Sequence, residues 1–189
     1  MLEIVEKELK IRQNILNEVC ETLQSYIYTV SIMIGETFKQ GGKIVLFGDG
    51  RDGEIARYFS DELNEKLVGD DVILPAVVLD CALVDMDIFG SDKVFEKKLG
   101  AVAISKDMLI GVSLCGHDKG VLRALSLGKN LGCRVVGFSG SDGEIMSEFC
   151  DINIEIPSEN PSLSREMMFL LAGVITDVVK AGIEEKENA

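Results

Sequence analysis

A chain of 189 residues, 47% of them hydrophobic, is long enough for one domain with a full core and too apolar to remain disordered. Its net charge of -13 has the wrong sign for direct nucleic-acid binding and repels phosphorylated ligands at long range, so a phosphate site would need strong local compensation. No apolar run reaches membrane-spanning length and the stretch MLEIVEKELK is too charged for a signal peptide, which predicts a cytoplasmic protein with no membrane partner.

From Leu2 to Gln40 the pattern is helical. Leu9, Leu16, Leu23 and Val30 recur at heptad spacing, and Val5, Ile27 and Ile34 widen the stripe, as two helices or one bent helix. Gly41-Gly42 is a stop signal. Residues 1–42 are therefore expected to be helices in subunit contacts, and 43–189 the rest of a single domain. A strand is predicted over Ile44–Phe47, ending at Gly48-Asp49-Gly50, then a helix over Glu54–Leu67 and a strand over Ile73–Leu79. A loop leads to a helix near Asp92–Val102, a strand at Met108–Ser113 and a helix over Lys119–Leu131. A strand at Arg134–Ser139, a short helix at Glu144–Phe149 and a strand at Ile152–Ile156 complete the alternation. Pro157 and Pro161 break the chain before a helix over Leu163–Ile183, and the tail from Glu184 to Ala189 reads as frayed. Strands alternating with helices give an α/β fold: a three-layer sandwich with a five-stranded parallel sheet and an N-terminal helical arm.

Strand, glycine turn and helix in the stretch from Lys43 to Leu63 place backbone N–H groups at the carboxyl edge of such a sheet. Asp49, Arg51 and Asp52 occupy this turn, where small neutral residues best receive an anion; Arg51 and Asp52 are read as a pair with one another or with a neighbouring subunit. The five cysteines, Cys20, Cys81, Cys115, Cys133 and Cys150, form no C-x-x-C pair, which argues against a cysteine zinc site and for buried free thiols.

Three segments carry a family resemblance. Gly48-Asp49-Gly50-Arg51-Asp52 followed by Tyr58-Phe59-Ser60-Asp61-Glu62-Leu63 resembles the G-N-G-G-S turn and H-F-x-x-E-L helix of the sugar isomerase (SIS) domain family, within it the phosphoheptose isomerases. Ser113-Leu114-Cys115-Gly116-His117-Asp118 stands where that family has an S-T-S-G-x-S phosphate loop. Arg165-Glu166-Met167-Met168, with Gly173 beyond, stands at its Q-E-x-H segment and later histidine. The resemblance covers nearly the whole chain and implies the SIS fold, active sites between subunits and a homo-oligomer, usually a tetramer.

It also implies aldose–ketose isomerisation of a sugar phosphate through an enediol, with Glu62 as the candidate general base. The residues implied to face substrate and phosphate are Gly48, Gly50, Asp52, Ser113, Cys115, Gly116, Asp118, Lys119 and Arg165. Members of the family bind zinc at the positions of Tyr58, Glu62, Arg165 and Gly173. Only Glu62 suits a metal, so no zinc and no other cofactor is expected. Asp118 reads as an N-cap for the following helix, and Leu114 and Cys115 remove hydroxyl donors from the loop. Asp87-Ile88-Phe89-Gly90 keeps the aromatic and glycine of a substrate-touching loop but has Ile88 at its aspartate. Glu62 is equally an ordinary solvated glutamate, and His117, the only histidine, reads as an exposed loop residue. Two functions stay open: an isomerase of a phosphorylated ketose with a degraded site, or a non-catalytic oligomer with a protein partner, as in the replication-initiator-associating proteins that share this fold.

Overall fold

The computed structural model describes residues 1–66 and 74–187. Helices α1 (Leu2–Thr22) and α2 (Gln24–Lys39) precede strand β1 (Ile44–Gly48) and helix α3 (Arg51–Lys66). Next come β2 (Ala76–Val78), α4 (Leu83–Phe89), α5 (Val94–Val102), β3 (Met108–Val112) and α6 (Lys119–Leu131). The chain closes with β4 (Arg134–Ser139), α7 (Glu144–Ser147), β5 (Ile152–Glu155) and α8 (Pro161–Glu187).

The five strands lie in the order β2-β1-β3-β4-β5, every pair parallel. In register, Val45 faces Leu109 and Leu109 faces Val135. Because side chains alternate across a strand, the sheet feeds two cores. Ile44, Leu46, Met108, Ile110 and Ile154 point to one face and pack with Val30, Ile34, Phe59, Leu63, Leu171 and Ile175 of α2, α3 and α8. Val45, Phe47, Leu109 and Val135 point to the other and pack with Phe95, Leu99, Val121 and Leu125 of α5 and α6. The expected three-layer sandwich with its helical arm is the observed architecture.

The arm is two helices, parted at Leu23. Gly41 stops α2 in the left-handed region (φ 74°), where its N–H bonds Phe38 O while the Gly42 N–H bonds Thr37 O. At the amino edge of the sheet, buried Asp107 accepts the Lys43 N–H at 3.0 Å and the Ile104 N–H at 2.8 Å and pairs with the Lys43 ammonium.

Four expectations are corrected. The segment read as a loop after β2 contains α4, started by the Asp85 carboxylate accepting the Ala82 N–H at 3.1 Å and held by Lys98 at 2.6 Å. α8 begins at Pro161 itself and not at the expected Leu163, since a first-turn helical N–H needs no partner. α8 runs past Ile183 to Glu187, through most of the expected frayed tail, whose last residues, 188 and 189, lie outside the described residues. Cys20 and Cys115 are exposed and only Cys133 and Cys150 are buried, although all five are free thiols. The expected helix end at Leu67 and strand start at Ile73 also lie outside the described residues.

Candidate functional site

The turns after β1 and β3 meet at the carboxyl edge of the sheet. Gly48 is the last residue of β1, and a Cβ there would come within 2.8 Å of the Asp52 backbone and 2.9 Å of Val112 O. Gly50 takes φ 50°, and α3 starts at once at Arg51. This puts Asp52 in the first turn of α3, where a carboxylate complements the helix dipole.

Asp52 does not pair with Arg51. Its Oδ2 accepts the N–H of Leu114 at 2.8 Å, and its Oδ1 accepts Arg165 Nε of α8 at 3.2 Å. The two charged side chains are 15% and 27% exposed, so the pair is largely shielded from water. One carboxylate thus ties together the β1 turn, the β3 turn and α8. The sequence carries no local signal for this contact, because its partners stand 62 and 113 residues away.

Other polar groups of the turn after β3 bond within the turn or to the helix that follows. Ser113 is buried, and its Oγ lies 3.5 Å from Cys115 Sγ. Gly116, at φ 67°, donates its N–H to Ser113 O. Asp118 caps α6, with Oδ1 accepting the Val121 N–H at 2.8 Å, as its position predicted. His117 is exposed, with Nδ1 2.7 Å from Cys115 O, and Lys119 is exposed at the start of α6. Beside this turn lies a cleft of about 150 Å³ lined by Cys115, Ser141, Asp142, Ser158, Glu159 and Ser164. The Gly140-Ser141-Asp142 turn after β4 thereby joins the site.

Glu62 is half-buried on α3, one turn beyond Tyr58. The Tyr58 ring packs edge-on against Phe169 with centroids 5.3 Å apart. Glu166, next to Arg165, faces elsewhere: its carboxylate takes Arg12 of α1 in a two-point pair at 2.7 and 2.9 Å. Asp52, Leu114 and Arg165 are brought together; Cys115 lines the neighbouring cleft, and Asp118 and Lys119 begin α6.

Residues 10–140 match the SIS domain family. The phosphoheptose isomerase of Aliarcobacter butzleri (strain RM4018) is 33% identical over 95% of this chain and 97% of its own length. The chain belongs to the SIS domain family, in its phosphoheptose isomerase branch. Phosphoheptose isomerase 1 of Campylobacter jejuni subsp. jejuni is 31% identical, over 95% of this chain and 98% of its own. Among solved structures, a phosphoheptose isomerase from Francisella tularensis superposes with a TM-score of 0.88 at 21% identity, covering 95% of this chain and 98% of that one. That likeness carries the fold.

The zinc site known in this family does not fit the residues present. Tyr58 offers a phenol, which ligates only as an anion that free tyrosine forms near about pH 10. Arg165 is a permanent cation already engaged by Asp52, and Gly173 has no side chain. Of that donor set Glu62 alone is a metal ligand by chemistry.

Proposed function

We propose that this SIS-domain chain is a cytoplasmic homo-oligomer of sugar-phosphate isomerase descent in which isomerase turnover is weak or lost. The observation that carries the reading is the Asp52 carboxylate seated on the Leu114 N–H and on Arg165. By the family resemblance this puts negative charge at a position implied to face the phosphate, and it engages the guanidinium that stands at the implied metal-ligand glutamine. The acid and metal positions at Tyr58 and Gly173 are also replaced. General acid–base catalysis supplies on the order of 10²–10⁴-fold, and loss of substrate anchoring compounds that loss.

A coupled assay with sedoheptulose 7-phosphate tests this. Turnover is expected far below the ordinary range of about 1–10³ s⁻¹, with Glu62→Gln making no difference to what remains. Turnover within that range, abolished by Glu62→Gln, overturns the reading.

The second reading, a non-catalytic assembly that presents a surface to protein partners, is favoured by the apolar surface of the arm. Leu2, Val5 and Leu9 are 86%, 54% and 62% exposed on one stripe of α1. A groove of about 410 Å³, lined by Leu16, Val19, Tyr28, Leu170 and Val174 among others, runs between α1, α2 and α8. Bare apolar stripes of this kind suit self-association into the tetramer expected of the family. Light scattering during gel filtration should give the tetramer mass for the wild type and a smaller species for Leu170→Glu; a wild-type monomer removes the support for both the tetramer and an assembly-based role.

A further inference from the structure

In an open parallel sheet, ligands bind outside the carboxyl ends of the strands at the point where strand order reverses. In the order β2-β1-β3-β4-β5 that point lies between β1 and β3. The turns that flank it carry Asp52 and Leu114. A phosphate monoester entering there would draw on two kinds of donor, backbone N–H groups and a guanidinium. One donor of each kind is already taken by one side chain: Leu114 N–H by Asp52 Oδ2 at 2.8 Å, and Arg165 Nε by Asp52 Oδ1 at 3.2 Å. Nearby, the Val121 N–H is taken by Asp118 at 2.8 Å and the Gly116 N–H by Ser113 O at 3.0 Å.

The carboxylate is not a loose surface charge. It is anchored at both oxygens, shielded to 15% exposure, and held by partners from two other parts of the chain. A carboxylate mimics half of a phosphate: two oxygens and one negative charge against three oxygens and up to two charges. A phosphate that takes the Leu114 N–H and Arg165 Nε would have to displace Asp52 from both and then lie beside the displaced charge.

We propose that Asp52 is a specificity-determining residue, a resident stand-in for a phosphate group that closes this crevice to phosphomonoesters. The inference rests on the reading that the chain descends from sugar-phosphate isomerases, and it adds the residue that would have ended phosphate recognition. Asp52→Asn keeps an acceptor for the Leu114 N–H and releases Arg165. Asp52→Ser withdraws from both.

Calorimetric titration with inorganic phosphate, at fixed ionic strength, is the test. Affinity is expected to rise about ten-fold in Asp52→Asn and further in Asp52→Ser, a change of about 1.4 kcal/mol per factor of ten. The amide resonance of Leu114 should move with added phosphate in the variants and stay still in the wild type. Equal affinity in all three proteins, or a wild-type Leu114 resonance that responds as the variants' do, overturns the proposal. If Asp52→Ser fails to fold, the isosteric Asn variant decides alone. Wild-type turnover of sedoheptulose 7-phosphate would sink the reading of weak or lost catalysis; unchanged phosphate affinity on removing the charge would sink only the role given to Asp52.

Discussion

Tyr58 of α3 hangs over Gly173 of α8, so that a methyl group added at Gly173 would rest 3.6 Å from the phenolic oxygen. Two positions that the family resemblance sets at histidines are therefore neighbours here, one holding a phenol and one bare. The phenol occupies the space above the glycine, and a histidine at 173 would have to push it aside. Alanine would not, because 3.6 Å is ordinary van der Waals contact. A glycine inside a helix costs about 0.5–1 kcal/mol relative to alanine. Gly173→Ala should stabilise the protein by that amount and raise the melting temperature by roughly 2–3 °C. Thermal and urea melts check it, and a lowered melting temperature would show that Tyr58 needs the bare glycine.

The cysteines should separate by reactivity. Burial pushes the Cys150 thiol up to about 12, and burial also raises Cys133. The thiolate is the reactive form, so at pH 8 only about one Cys150 in 10⁴ is reactive at any instant. Iodoacetamide should modify exposed Cys115 first and leave Cys150 untouched until denaturant is added. Cys20 is exposed in a single chain but lines the apolar groove, so self-association through that face should slow its labelling relative to Cys115. Peptide mass spectrometry reads all three rates. Native-state labelling of Cys150 at the rate of Cys115 would contradict the packing around β4 and β5.

Glu155, on the edge strand β5, has a raised pKa, chiefly through burial and then through the negative charges of Glu144 and Asp142. A carboxyl that holds its proton more tightly when folded stabilises the fold in acid. That contribution is complete below the unfolded value, near 4.5, and is lost as pH rises through the folded value. Glu155→Gln should therefore melt higher than wild type at pH 7, by on the order of 1 °C, and the gap should close by pH 4. Paired melts across this range provide the check; a gap that widens toward acid reverses the sign and defeats the assignment.

The parts of the fold that depend on local chemistry were legible in the sequence. The apolar runs of β1, β3 and β4, the Gly41-Gly42 stop and the Asp118 cap all act within a few residues, and each is found where it was expected. α4 was not legible: it has only 7 residues, and part of its support comes from Lys98 on another helix. Pro161 was placed just before the last helix, whereas its ring suits the first turn and it is the first helical residue. At the site the residue types were legible and their partners were not. Asp52 looked like a partner for Arg51, its sequence neighbour, whereas the fold brings Leu114 and Arg165 to it from distant turns. Only the tertiary structure reveals that the carboxylate and the guanidinium neutralise one another.

Gly116 rests directly on the neighbouring turn: a side chain there would strike Gly143 Cα at 2.7 Å and Asp142 O at 2.8 Å. Main chain touches main chain, with no side chain between to act as a cushion. The two turns are thereby welded into one tile at the rim of the sheet. Any occupant that reshapes the rim at Leu114 must shift Asp142 with it, so a binding event on one side would be felt as displacement on the other.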